Sequence, residues 1–336
     1  MDYFYKEENS VSVAHYVLNM KRFFLIFFIV ILTILIVVSG VGIGFYINKM
    51  SKIDFVDISK EEIEISSGIE DKLSKYRNIV LFGIDSAKGY EGRSDCIIIL
   101  SLNEETNEVK MTSVYRDTYV KVDGYGYTKI NHAYAYGGAK LAINTLNKNL
   151  DLNISEFVTI NFRVVEDIVN AVGGVKIKVT AAEATQITGI NSAGTYNLTG
   201  KQALEYGRIR KIDSDYQRTE RMRTVIEGVF NKVKGMSLTK LNKLVDKILP
   251  EVKTNITMGE ITEMLTLLPS IKIGESTGWP YQTTGRTIDG VWYGVPKTLE
   301  SSVKKLHQEL FDDKEYETTE NVKNISKTII NKTGVK

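Results

Sequence analysis

The 336-residue chain carries one cysteine, Cys96, four prolines and three histidines. A single thiol excludes an intrachain disulfide framework and any cysteine-cluster metal site. It does not exclude an extracytoplasmic location. Four prolines leave no room for a long proline-rich linker. His15 lies near the start and His307 near the end, so only His132 remains for a histidine-dependent mechanism. No Walker-type phosphate loop occurs. Charge of one sign is missing too: 43 Lys and Arg against 41 Asp and Glu leave a formal +2. The chain-wide basic field of a nucleic-acid binder is therefore absent, and no nucleic-acid partner is expected. Hydrophobic residues at 43% and charged residues at 25% are globular values, which exclude wholesale disorder.

One local extreme hides in that average. From Phe23 to Asn48 there is no charged residue, and most positions are Phe, Ile, Leu or Val. About 25 helical residues span roughly 37 Å, enough to cross a ~30 Å hydrocarbon core with tilt. A buried soluble helix would show a polar face, and a cleavable signal has a shorter apolar core and a shorter lead. The reading is an uncleaved anchor. Residues 1–22 form a cytoplasmic tail, 23–47 the transmembrane helix and 48–76 a polar extracellular stalk. A globular domain covers 77–311, and 312–336 is a polar, disordered tail.

Inside the domain, short apolar runs alternate with helix-spaced segments. Asn78–Asp85, Ser94–Ser101 and Val109–Val114 read as strands, as do Glu156–Phe162 and Val175–Val179. Ile130–Leu150 and Val164–Val172 read as helices, and the chain from Thr199 to Leu268 is mainly helical. This alternation predicts an α/β fold, an α-β-α sandwich around a mixed central sheet.

Charged residues stand where the first strands stop. Asp85 ends the first, Arg93 and Asp95 precede the second, and Arg116 and Asp117 end the third. Strand ends at one sheet edge are where α/β proteins bind ligands. Tyr206–Arg223 is denser, with six basic and three acidic residues around Arg208, Arg210, Asp215, Arg218 and Arg221. Guanidinium forks stay charged when buried and bind phosphate bidentately. Taken alone, this stretch fits either a diphosphate pocket or a salt-bridged helix face. Asp85 and Asp95 are either ordinary turn residues or hard oxygen ligands for a magnesium ion shared with phosphates. Cys96 opens an apolar strand and reads as a packing residue.

Five ordered motifs carry a resemblance. Leu81-Phe82-Gly83-Ile84-Asp85, Gly92-Arg93-Ser94-Asp95 and Ser113–Val120 resemble the opening motifs of the LytR-CpsA-Psr family. Lys129–Tyr134 with Gly137-Gly138 is similar to its next block. Leu198–Tyr206, followed by Arg208-x-Arg210 and Asp215-x-x-Arg218, is similar to its arginine-rich signature. The resemblance implies an enzyme outside the bacterial cytoplasmic membrane. It would move an anionic glycopolymer, such as a teichoic acid or capsule, from a polyprenyl-diphosphate carrier to peptidoglycan. A phosphodiester would form and polyprenyl phosphate would leave. The implied partners are the lipid-linked glycopolymer, the peptidoglycan acceptor and the bilayer.

By the family pattern Asp85 and Asp95 hold Mg2+, with Mn2+ as an alternative. Arg93, Arg116, Arg208, Arg210 and Arg218 bind the diphosphate, and Arg116 and Asp215 are catalytic. The lipid tail is expected between the sheet and helices such as Val225–Val233 and Leu241–Leu249. Three positions depart from the pattern: Tyr115 stands where Pro is frequent, Met222 where Gln is frequent, and Gly207 where Val is frequent. Tyrosine also occurs at the first, and the third is expected to be neutral. A lipid pyrophosphatase using the same site and a membrane-bound transcriptional attenuator are the alternatives.

Overall fold

Central strands that are apolar on both faces must be covered on both faces, and this sets the architecture. The computed structural model describes residues 54–84, 90–209, 212 and 215–336. The elements run β1 (Asp54–Phe55), α1 (Ile69–Lys72), β2 (Tyr76–Ile84), β3 (Ser94–Asn103) and β4 (Glu108–Val114). The β5 (Tyr119–Val122) and β6 (Gly126–Lys129) hairpin follows, then α2 (His132–Leu150), β7 (Glu156–Asn161) and α3 (Phe162–Ala171). Next come β8 (Val175–Val179), α4 (Ala181–Ala184), β9 (Gly194–Leu198), α5 (Gly200–Gly207), α6 (Asp215–Lys234) and α7 (Leu238–Ile248). The chain continues through β10 (Val252–Thr254), α8 (Met258–Leu267), β11 (Lys272–Trp279), β12 (Thr283–Ile288) and β13 (Val291–Pro296). It ends with α9 (Leu299–Leu310) and α10 (Glu320–Thr333).

Seven strands form one sheet in the order β1-β10-β7-β2-β3-β4-β11. β2 runs parallel to β7 and antiparallel to β3, and β4 runs parallel to β11, so the sheet is mixed as expected. Period-two alternation splits β2 between two cores. Val80, Phe82 and Ile84 enter a cluster with α2, α9 and α10, while Leu81 packs on a second cluster with α3, α5 and α6. Helix starts are fixed locally. Asn161 Oδ1 accepts from Val164 N at 3.1 Å to cap α3, and Thr199 with Gln202 closes a capping box on α5.

Two boundaries differ from the sequence reading. The segment expected as a stalk already belongs to the domain from residue 54. β1 pairs with β10, and Ile63, Ile69 and Leu73 are buried in the core. The C-terminal segment is also ordered, because Val322, Ile325 and Ile329 recur at helical spacing and bury one stripe of α10. The cytoplasmic tail and the anchor, 23–47, lie outside the described residues. Among the described residues no helix is long and apolar enough to cross a membrane.

His307 joins that C-terminal segment to the core. Its ring is fully buried, donates from Nε2 to Leu150 O at 3.0 Å and stacks on Tyr316 at 3.6 Å. Burial pushes its pKa down to about 4, against weaker upward pulls from Leu150 O and Asp151. The unfolded imidazole, near 6.5, therefore takes a proton first as pH falls. Stability should be full above pH 6.5 and decline as pH drops toward 4, by about 3 kcal/mol from this group. Thermal melts of wild type and His307→Gln over that range check this, with the variant giving the flatter profile.

Candidate active site

The C-terminal ends of β2, β4 and β7 meet at one edge of the sheet, and the charged groups gather there. A bulge creates the first of them. Gly83 pairs with Cys96 and Ile84 with Ser94, so Asp95 is the extra residue of β3 and its carboxylate turns toward the loop after β4. Gly83 is required there: a Cβ would lie 2.9 Å from Cys96 Cβ and 3.4 Å from the Phe162 ring.

Arg116 Nη1 donates to Asp95 Oδ1 at 2.7 Å, and its Nε lies 3.4 Å from Asp117 Oδ2. Lys129 Nζ lies 2.7 Å from Asp117 Oδ1. The result is an alternating acid–base chain, Asp95–Arg116–Asp117–Lys129, in which each side chain keeps only 15–21% of its surface. The sequence marks Asp117 as a strand-end charge at this edge, whereas Lys129 stands inside a motif with no expected role in the site. From the other side of the sheet edge, α6 presents Arg218. It is 6% exposed and donates from Nη2 to Asp95 O at 3.2 Å. Arg208 is exposed, its guanidinium 5.2 Å from the Phe162 ring centre. Asp95, Cys96, Phe162, Arg208, Arg218 and Met222 line one narrow cleft.

The structure thus brings Asp95, Arg116, Arg208 and Arg218 together. Arg93 is exposed beside them, close enough that its charge, after burial, helps to lower the pKa of His132. Asp85 and Arg210 lie outside the described residues. Asp215 is the first residue of α6, as the sequence suggested, and its side chain is outside the description. Burial pushes the Cys96 thiol up to about 12, against a downward pull from Arg218, which fits packing rather than attack.

Not every arginine of the basic stretch serves the cleft. Arg221, 5% exposed, donates from Nε to Glu183 Oε1 at 2.7 Å and from Nη1 to Ile209 O at 3.3 Å. Burial alone would raise the Glu183 carboxyl, but the Arg221 pair and the Thr180 cap outweigh it and hold its pKa below the ordinary range. Arg223 binds Ser113 Oγ and Thr277 O. One helix therefore carries an arginine that lines the cleft, Arg218, and two that fasten the fold, for which the salt-bridged reading holds.

For a hard cation the donor chemistry fits. Arg116 occupies only Oδ1 of Asp95, leaving Oδ2 outside that pair. Ile84, which precedes Asp85 in the chain, pairs with Ser94 next to Asp95. Among the described residues no group of three potential metal ligands converges, so a phosphate-bearing ligand would have to complete the sphere.

Behind the cleft one sheet face is incompletely sealed. Leu81 pairs with Val158 on β7, and Ile79 pairs with Leu100 on β3, so these four residues adjoin on one face. All four are only half-buried, as are Ile226, Val229 and Phe230 on α6. Strand centres beneath helices are ordinarily closed.

The LytR_cpsA_psr family model matches residues 45–310. The chain belongs to the LytR_cpsA_psr family. Similar family relatives include the polyisoprenyl-teichoic acid–peptidoglycan teichoic acid transferase TagU of Bacillus subtilis (strain 168). It is 31% identical over 309 residues, covering 85% of this chain and 97% of the relative. The protein of the same name from Oceanobacillus iheyensis is 34% identical over 243 residues, covering 69% and 74%. Among solved structures, the family protein YwtF (TagT) with bound octaprenyl pyrophosphate lipid matches with a TM-score of 0.57 and 28% identity, covering 70% of this chain and 91% of that one. TagT bound to LIIa-WTA matches with a TM-score of 0.59 and 28% identity, covering 78% and 92%.

Two of the three departures from the LytR_cpsA_psr pattern, Gly207 and Met222, adjoin. A Cβ on Gly207 would lie 2.7 Å from Met222 Cε. Gly207 therefore adjoins the flexible end of Met222 in the cleft, and a larger residue there has to displace that end. Gly207→Val should drive the flexible Met222 end toward Arg208 and Arg218 and lower activity severalfold. Met222→Ala should restore it, with a coupling of about 1 kcal/mol in a double-mutant cycle.

Proposed function

We propose that this protein transfers an anionic glycopolymer from a polyprenyl-diphosphate carrier to peptidoglycan. The observation that carries the reading is the convergence of Arg116, Arg208 and Arg218 on Asp95 at one sheet edge, above a half-open apolar face. A lipid diphosphate needs both parts: paired cations for the head and an unfilled apolar layer for the tail. The relatives' names and the lipid bound to TagT support the same ligand class.

In the proposed reaction an acceptor hydroxyl attacks the phosphorus that bears the glycan. The bond from that phosphorus to the bridging oxygen breaks, and polyprenyl monophosphate leaves. Arg93, Arg116, Arg208, Arg210 and Arg218 hold the diphosphate oxygens and stabilise the charge that develops on them. Asp117 and Lys129 keep the Arg116 fork aimed. Asp215 orients the arginines and accepts the hydroxyl proton. Asp95, with Asp85 as second carboxylate, would hold Mg2+, and Mn2+ suits the same oxygens. When bound, the metal neutralises charge on the departing phosphate. Residues 23–47 anchor the chain as a single-pass helix in the bacterial cytoplasmic membrane, with the catalytic domain extracellular.

The test follows the glycan-linked phosphorus, radiolabelled, with full-length protein in nanodiscs. With peptidoglycan strands present, the label should enter a phosphodiester on the acceptor, and polyprenyl monophosphate should appear only then. Equal release of labelled glycan phosphate without acceptor would instead make the protein a pyrophosphatase.

A further inference from the structure

Few large apolar side chains are exposed among the described residues, and two of them touch each other. Tyr125 and Tyr136 keep 53% and 44% of their surface, and their rings stack at 4.3 Å and 20°. They come from different elements. Tyr125 sits in the Asp123-Gly124 turn between β5 and β6, where its N–H donates to Val122 O at 3.0 Å. Tyr136 closes the first turn of α2, just before the non-helical pair Gly137-Gly138 breaks the helix. That break lets the first turn swing out from the rest of α2 and lay Tyr136 on the hairpin. His132 fixes the pair from below: its Nδ1 lies 2.8 Å from Thr128 Oγ1 and 3.3 Å from Tyr136 Oη.

This shelf adjoins the arginine site. Thr128 and His132 flank Lys129, the last member of the Asp95–Arg116–Asp117–Lys129 chain. The imidazole has its pKa lowered by burial, then by Arg93 and Lys129, with Asp117 pulling the other way. An exposed, immobilised aromatic pair beside a phosphate site has no packing purpose and would cost solubility. The flat C–H face of a sugar ring is its natural complement, with tyrosine hydroxyls at the edge for sugar hydroxyls.

We propose that Tyr125 and Tyr136, braced by His132, form the platform that binds a sugar ring of the peptidoglycan acceptor strand. This rests on the transferase reading above. Two observations favour the acceptor over the donor glycan. First, the shelf lies on the α2 side of the sheet, while the half-open apolar layer for the tail lies on the α6 side. Attacking and leaving oxygens stand in line across phosphorus, so the acceptor must enter opposite the polyprenyl phosphate. Second, the donor polymer is anionic and would seek arginines, whereas a neutral ring suits tyrosine faces.

The experiment titrates full-length protein in nanodiscs with a soluble, peptide-free peptidoglycan glycan fragment, and separately with a polyprenyl-diphosphate-linked glycan. Tyr125→Ala/Tyr136→Ala should weaken binding of the fragment by about tenfold or more. Tyr125→Phe/Tyr136→Phe should stay within about twofold, since the ring faces remain. Donor binding should be unchanged in both, as should the melting temperature, because both side chains are exposed. Unchanged fragment binding by the alanine pair, or weakened donor binding in its place, overturns the platform. A wild type that binds the fragment through these tyrosines yet transfers nothing overturns the transferase reading and leaves the platform standing.

Discussion

Arg116→Ala should lower kcat/KM for transfer by about 10²–10³-fold, the usual loss when one preorganised donor to a developing charge is removed. The structure gives the reason for a loss of this size. The Arg116 fork is gripped by a carboxylate on each side, Asp95 Oδ1 at 2.7 Å and Asp117 Oδ2 at 3.4 Å. Its orientation is therefore set before any ligand arrives. A guanidinium has five donors, so a fork held in this way can also serve a phosphate. Lysine should not rescue, because a point charge cannot bridge two carboxylates and a phosphate in one plane. The variant should still fold: Asp95 and Asp117 are part-exposed and keep Arg218 and Lys129 nearby. Steady-state kinetics with a melting curve separates the two effects. A fall in kcat with little change in melting temperature is the expected pattern.

Asp151→Ala should destabilise the domain by about 3–5 kcal/mol, the scale for removing one partner of a buried charged network. Asp151 is fully buried at the end of α2, in the left-handed conformation with φ 52°. Its carboxylate accepts from Tyr316 Oη at 2.9 Å, Thr319 N at 2.8 Å and Thr319 Oγ1 at 2.7 Å. Thr319 in turn caps α10. One side chain thus ties the C-terminal segment to the core helix, and its loss leaves three donors without an acceptor. α10 contacts β5 and α2, and Lys332 lies 5.6 Å over the Tyr127 ring. Loosening α10 should therefore also slacken the hairpin that carries Lys129. Denaturant unfolding measures the stability, and Asp151→Asn, which keeps one acceptor oxygen, should lose less than alanine.

The sheet was legible because its strands are apolar runs bounded by turns. β2, β3, β4, β7 and β8 stand within two residues of where the sequence placed them. β10 was not legible: three residues in a helix-rich stretch become a strand only through pairing with β7 and β1, a non-local effect. The β5–β6 hairpin carries a plain Asp123-Gly124 signal between alternating residues, which the neighbouring arginine and Gly-Gly motifs overshadowed. The C-terminal helix was hidden by composition. Its Lys, Asn and Thr are the solvent face, while Val322, Ile325 and Ile329 keep the core spacing.

At the site, strand ends foretold the meeting of Asp95 with Arg116, because both flank the same sheet edge. Arg218 and Arg221 do sit three apart on α6, but spacing cannot say what faces each one. Only the fold sends Arg218 to Asp95 and Arg221 to Glu183. The tyrosine shelf had no sequence signal, since its two members lie 11 positions apart in different elements and meet through the α2 break.

The most direct test of the whole account is a structure of the full-length protein with a polyprenyl diphosphate bound. The account predicts the diphosphate against Arg93, Arg116, Arg208 and Arg218. The tail should run between the half-buried face of Leu81, Leu100 and Val158 and helix α6. A diphosphate that does not touch Arg116, or a tail on the α2 side of the sheet, would contradict it.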